Sequence, residues 1–226
     1  MNRLAIILIC ALTAVLPGQA REAVEADTVT AAQALVAMPA QTLDILTTSM
    51  RLDLIDYYRA DSIYRVPNAM EGLSYLRRPM TPQYLQVQVT PVTKFTIRIL
   101  PRKNDFMVAT VYTIGDSLQA ADSEIRFYDA QMKELKRSKF IKLLSTEDFF
   151  DFSGVDGKTR RELLSIVPFP TVEYTFSPDG TDLKARLTVG EFLGKEDLEK
   201  ITPYLRRDRL LRWDGARYRL QPLPER

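Results

Sequence analysis

The chain has 226 residues, with 31 Lys and Arg against 29 Asp and Glu, a formal net charge of +2, one cysteine and no histidine. So balanced a charge sets up no global field for nucleic acid or an anionic membrane. Without histidine, neither a Ser-His-Asp nor a Cys-His nucleophile can be assembled, and zinc sites of ordinary ligation are excluded.

Arg3 precedes an uncharged, mostly aliphatic run from Leu4 to Leu16, and Pro17-Gly18-Gln19-Ala20 follows ahead of Arg21-Glu22. This is the layout of a secretory leader, with small residues Gly18 and Ala20 placed for a cut after Ala20. A helix over that run spans only about 20 Å, short of the roughly 30 Å hydrocarbon core, so cleavage is expected in place of a permanent anchor. Cys10 lies inside the run behind Ile9, where lipid attachment would need a small residue, so the mature chain is expected to carry no thiol. The sequence thus predicts an exported protein, in the periplasm, in the envelope or secreted. Residues 1–20 form its leader, 21–30 a linker, and 31–226 a single domain held by core burial.

Thr30 is placed to cap a helix over Ala31 to Ala37, which Met38-Pro39 interrupts. A second helix starts at Thr47-Thr48-Ser49, with Met50, Leu54, Ile55 and Tyr58 on its apolar stripe and Arg51, Asp56 and Arg59 off it. Between Asp61 and Pro82 the prolines and Gly72 break any period. From there the period is two: Leu85, Val87 and Val89, then Phe95, Ile97 and Ile99, then a run from Phe106 to Ile114 that is β-rich on both faces, then Ile125 and Phe127 within Ser123 to Tyr128. These read as an antiparallel meander. Asp156-Gly157 precedes a helix over Lys158 to Ile166. Val172, Tyr174 and Phe176 pair through Pro178-Asp179-Gly180 with Leu183, Ala185, Leu187 and Val189 as a hairpin. A short helix covers Glu196 to Ile201, and Arg209-Trp213 with Ala216-Leu220 make a last hairpin through Asp214-Gly215. The class is α+β, an antiparallel sheet of meander and hairpins packed by N-terminal and intervening helices.

Four segments, Val36-Ala-Met-Pro-Ala40, Thr47 through Tyr57 (TTSMRLDLIDY), Asp122-Ser-Glu-Ile-Arg-Phe-Tyr128 and the Trp213-Asp-Gly215 hairpin, resemble a family of secreted proteins from gut-type Gram-negative anaerobes, domain of unknown function 3256. The resemblance runs over essentially the whole mature chain. It implies an exported α+β domain of a bacterial envelope, and its motifs are structural signatures that transfer no catalytic residue.

The chemistry left open is that of carboxylates, of serine with lysine, and of oxygen-ligated cations. Asp53, Asp56, Asp148, Asp151 and Asp156 are candidates for the two acids of a glycosidase, although most acids of such a domain are surface groups or caps. Asp151 through Gly157 fails the calcium-loop spacing because Val155 stands at a ligand position, and Asp179-Gly-Thr-Asp182 reads first as a turn. No phosphate-binding loop or dinucleotide fingerprint is present, so neither cofactor nor metal is expected. Tyr57, Tyr58, Tyr64, Tyr75 and Tyr84 read as packing residues before they read as a contact surface.

One segment stands out. Arg206, Arg207, Arg209, Arg212, Arg217 and Arg219 crowd around Tyr204, Trp213 and Tyr218. A two-residue Asp214-Gly215 loop would set Trp213 opposite Ala216, Arg212 opposite Arg217, Leu211 opposite Tyr218 and Leu210 opposite Arg219. Leu211, Trp213 and Tyr218 would share one face and Arg212, Arg217 and Arg219 the other. Opposed guanidiniums want an anion, supplied by a carboxylate such as Asp208 or Glu191, or by a ligand. Arg212, Arg217, Arg219, Trp213 and Tyr218 are therefore the candidate ligand-binding set, for an anionic glycan, lipid or envelope protein, with nucleic acid excluded. The reading is a non-enzymatic envelope domain. Its alternatives are a carboxylate-dependent glycan hydrolase and a structural component of an envelope assembly.

Overall fold

A computed structural model describes residues 29–61, 65–116, 119–189 and 192–223. The expected leader with Cys10, most of the expected linker, Tyr64 and Glu191 lie outside the described residues.

The first helix, α1 (Ala31–Ala37), starts at Thr30 with a reciprocal capping box to Gln33. The second, α2 (Thr48–Arg59), is capped by the Thr47 side chain, which accepts from the Met50 amide. Its buried face holds Leu54 and Ile55 as expected, and it also holds Arg51, which the helical stripe had placed outside. Arg51 is 1% exposed. Its Nε donates to the Leu46 carbonyl at 2.8 Å and its Nη2 to that of Leu43 at 2.9 Å, while its Nη1 reaches the carbonyls of Leu35 and Met38. The guanidinium fork thus closes a segment rich in turns by supplying donors to its buried carbonyls, of which that of Leu43 also accepts the Leu46 amide at 3.1 Å.

Seven antiparallel strands follow in chain order across one sheet: β1 (Val66–Pro67), β2 (Leu73–Thr81), β3 (Tyr84–Thr90), β4 (Thr93–Pro101), β5 (Phe106–Asp116), β6 (Gln119–Tyr128) and β7 (Glu134–Leu135). The meander is therefore wider than its alternation suggested. The stretch before Pro82, expected to lack a period, contains β2. Its pattern was hidden because Arg77, Arg78 and Pro79 fall where the pairing with β3 slips between Arg77 and Thr81.

The two faces of this sheet build separate cores. Leu85, Val87, Val89, Phe95, Ile97 and Ile99 pack against Leu35, Leu54 and Ile55 of the helices. The opposite face, with Leu100, Met107, Val111, Ile125 and Phe127, packs on a second sheet. That sheet is four-stranded in the order β11-β10-β9-β8, from β8 (Val172–Phe176), β9 (Leu183–Leu187), β10 (Asp208–Trp213) and β11 (Tyr218–Leu220). The class is α+β as expected, but the hairpins form a layer of their own instead of extending the meander. Two helices, α3 (Gly157–Ile166) and α4 (Lys195–Ile201), seal the second core with Leu163 and Ile201.

The sheets meet along β6 and β8. On the free edge of β8 the Val172 amide donates to Asp122 Oδ1 and the Tyr174 amide to Ser123 Oγ, each at 3.0 Å. Two side chains of β6 thereby cap an edge that would otherwise be open to strand addition. Nearby, Thr188 Oγ1 donates to the Ala121 carbonyl at 2.7 Å.

Candidate functional site

At the terminal hairpin the pairing differs from expectation by two positions. Trp213 faces Tyr218, Arg212 faces Arg219 and Leu211 faces Leu220. The cause is Asp214, whose Oδ1 accepts the amides of Ala216 at 2.9 Å and Arg217 at 2.7 Å, while Gly215 takes a φ of 88°. The chain consequently reverses over Asp214 to Arg217 instead of over Asp214-Gly215 alone. A slip of two keeps every side chain on its expected face. Leu211, Trp213 and Tyr218 are buried, with Trp213 Nε1 donating to the Pro101 carbonyl and the Tyr218 hydroxyl to that of Thr181, both at 2.8 Å.

The outward arginines have carboxylates of their own. Arg219 Nε donates to Asp214 Oδ2 at 2.8 Å, and Arg212 Nε lies 3.7 Å from Asp182 Oδ2. Among the described residues the anions are thus Asp214 and Asp182 and not Asp208. The Arg219 guanidinium, and after it the Arg217 and Ala216 amides, hold the Asp214 carboxyl down at about 2. Arg217 belongs to the loop and not to the ladder, and its Nε is buried with no hydrogen-bond partner among the described residues.

Three of the five acids named as glycosidase candidates have structural work. Asp148 Oδ2 accepts the Ser145 amide at 2.8 Å. Asp151 pairs with Arg206 at 2.8 Å. Asp156 caps α3, and its bonds to the Thr159 hydroxyl and then to backbone amides pull its carboxyl down. Asp53 and Asp56 point to solvent from α2. The Asp156 and Asp214 carboxyls are thus shifted away from what a general acid needs. Among the tyrosines, Tyr58 accepts the Met80 amide at 2.9 Å beneath Arg78, Tyr75 lies beneath Arg65, and Tyr84 is core.

A concave site opens where the two sheets meet. A cleft of about 560 Å³ is bounded by Tyr112 and Ile114 of β5, Asp122 and Glu124 of β6, Arg137 and Leu143 of the following loop, and Pro170 and Tyr174 at β8. A smaller hollow of about 210 Å³ shares Tyr112 and Glu124 and adds Asp44, Thr110 and Arg126. Strand pairing puts Tyr112 opposite Glu124 and Thr110 opposite Arg126, so these four side chains form one patch on the sheet. Burial pushes the Tyr112 and Tyr174 phenols up, and Asp44 adds to this for Tyr112, so both stay neutral.

Most charges around the cleft are engaged. Asp122 holds the Val172 amide, and Glu124 lies 3.0 Å from Arg126, which also reaches Glu134 at 3.7 Å. Arg137 is exposed at the mouth and makes no ion pair with a described residue. In the sequence Arg137 carries no motif and Tyr112 reads only as part of a strand. The available signal was Lys136-Arg137-Ser138-Lys139-Phe140-Ile141-Lys142, a run with four cations and no acid.

An α+β protein of two antiparallel layers with a cleft along their seam is the class these features define. The family model described as protein of unknown function (DUF3256) matches residues 23–218, and the chain belongs to that family. It is similar to the solved structure of a domain of an uncharacterized protein from Porphyromonas gingivalis W83, at 24% identity and a TM-score of 0.69, over 84% of this chain and 96% of that one. That likeness establishes the fold. No curated protein matches the chain.

Proposed function

We propose that this chain is an exported, non-enzymatic envelope domain that binds a carboxylated glycan in the cleft between its two sheets. The observation that carries the reading is Arg137, a guanidinium without an ion-pair partner among the described residues, at the mouth of a concavity of about 560 Å³. That volume lies within the usual range of ligand pockets, on the order of 300–1,000 Å³. A guanidinium suits bidentate capture of a carboxylate, and the half-buried Tyr112 ring offers a sugar face a surface on which to stack. Export is supported by the leader pattern ahead of Arg21.

The test is a thermal-shift titration with oligogalacturonate, using a neutral maltooligosaccharide as control. Oligogalacturonate should raise the melting temperature as occupancy rises, the neutral sugar should not, and Arg137→Ser should abolish the shift. A shift that survives Arg137→Ser, or that the neutral sugar reproduces, overturns the reading. A second reading places the anion at Arg212, Arg217 and Arg219 of the terminal hairpin, on the observation that Arg217 Nε is buried without a hydrogen-bond partner among the described residues.

A further inference from the structure

Four of the nine exposed large apolar side chains among the described residues belong to one end of the molecule. Phe169 is 79% exposed, Phe192 59%, Ile114 56% and Leu143 40%. Ile114 and Leu143 line the same cleft, which Pro170 also borders. Thr146 Oγ1 donates to the Val167 carbonyl at 2.9 Å, which fastens the loop after Leu143 to the one bearing Phe169. The Thr188 amide donates to the Thr171 carbonyl at 3.0 Å and the Phe192 amide to that of Val189, so the Phe192 turn leaves the same end of the β8–β9 hairpin. Phe169 stands between Pro168 and Pro170, whose fixed φ angles hold the loop in shape before anything binds.

Beside these tips runs the cationic segment of Lys136, Arg137, Lys139 and Lys142, all exposed and none in an ion pair with a described residue. The acids bordering the cleft are engaged elsewhere, Asp122 with a β8 amide and Glu124 with Arg126. The geometry points to this end as a docking face for an anionic phospholipid bilayer, with Phe169 and Phe192 entering the headgroup region and the lysines meeting lipid phosphates. The cation type decides between a bilayer and a protein partner. Lysine is depleted at protein interfaces but serves well as a mobile charge over an anionic membrane surface. Exposed aromatic side chains, that of Phe169 on a proline-braced loop, suit the apolar boundary beneath the headgroups. The inference stands apart from the glycan reading, because it needs neither Arg137 nor the cleft interior.

Cosedimentation of the protein with vesicles tests it. Vesicles of equal parts phosphatidylglycerol and phosphatidylcholine should retain the protein, and phosphatidylcholine alone should not. Retention should fall as salt rises, and free glycerol phosphate should not compete for it. Replacing Lys136, Lys139 and Lys142 together by Ser should weaken retention on the order of a hundredfold. Phe169→Ser with Phe192→Ser should weaken it by about tenfold or more, with the melting temperature unchanged because both rings are solvent-exposed. Equal retention on neutral vesicles, no retention on either, or retention that survives loss of both phenylalanines overturns the proposal. So does a self-associated species, seen by sedimentation velocity, that the Phe169 replacement dissolves. Arg137→Ser separates the two proposals, since it removes the glycan response and leaves most of the vesicle binding.

Discussion

Arg51 and Arg137 are both arginines without a carboxylate partner among the described residues, and they differ in where their donors go. Arg51 is sealed between α1 and α2 with its fork on backbone carbonyls, and burial lowers its pKa. Arg137 projects to solvent at the mouth of a cleft. The comparison shows that a missing ion pair marks a candidate contact only when the backbone has not already taken the charge.

The largest expected effects lie on the buried side. Arg51→Met fills the space but leaves the carbonyls of Leu35, Met38, Leu43 and Leu46 without that donor, and should cost on the order of 3 kcal/mol in urea unfolding. A loss below about 1 kcal/mol would mean that donors besides Arg51, as the Leu46 amide already is for Leu43, satisfy these carbonyls. Trp213→Ala empties the seam between the sheets and removes the bond to Pro101, at about 3 kcal/mol or more.

Next comes the pH dependence of the core. Burial raises the pKa of Tyr84, Tyr112, Tyr128, Tyr174 and Tyr218 above the ordinary 10.0. The folded state favours the neutral phenol, so the contribution is complete below pH 10 and is lost as pH climbs above it. Urea midpoints measured from neutral pH upward should fall beyond pH 10, and less steeply in Tyr218→Phe. Asp214 acts in the opposite sense. Its carboxyl is held at about 2 against an ordinary 3.8, so its contribution to the hairpin is complete above pH 4 and is lost as pH falls toward 2. Asp214→Asn should flatten that acid limb.

Local signals were legible in the sequence: the cap at Thr30, the helix start at Thr47, the faces of both hairpins, and the helix after Asp156. What escaped depends on partners distant in the chain or on a side chain overriding a backbone rule. Arg51 reads as solvent-facing on a helical wheel because its acceptors belong to the preceding turns. The terminal register slipped because Asp214 takes amides that a two-residue loop would give to the backbone. The cleft is built from β5, β6, the 137–144 loop and β8, and no window of sequence contains all four. The segments that carry the family resemblance turn out to be mostly fasteners. Arg51 of the second segment binds Met38 of the first, Asp122 and Ser123 hold β8, Tyr128 shares a hydrogen bond with Thr42, and Trp213 reaches Pro101. This is why the resemblance conveyed a fold and no chemistry.

The smallest effect expected on stability is the one that discriminates best between the two candidate surfaces. Arg212 and Arg219 are 63% and 58% exposed in their ion pairs, so solvent screens both. Arg212→Ala with Arg219→Ala should therefore change stability by no more than about 0.5 kcal/mol. Each substitution also relieves the cross-strand repulsion between the two guanidiniums, which offsets part of the lost pairing. If the anion binds at the cleft, the double variant keeps the full oligogalacturonate shift and Arg137→Ser loses it. If the hairpin is the site, the pattern reverses, because a ligand there would have to displace Asp214 and Asp182 from these same arginines. Two variants that both leave the fold intact thus assign the site by which one silences the ligand.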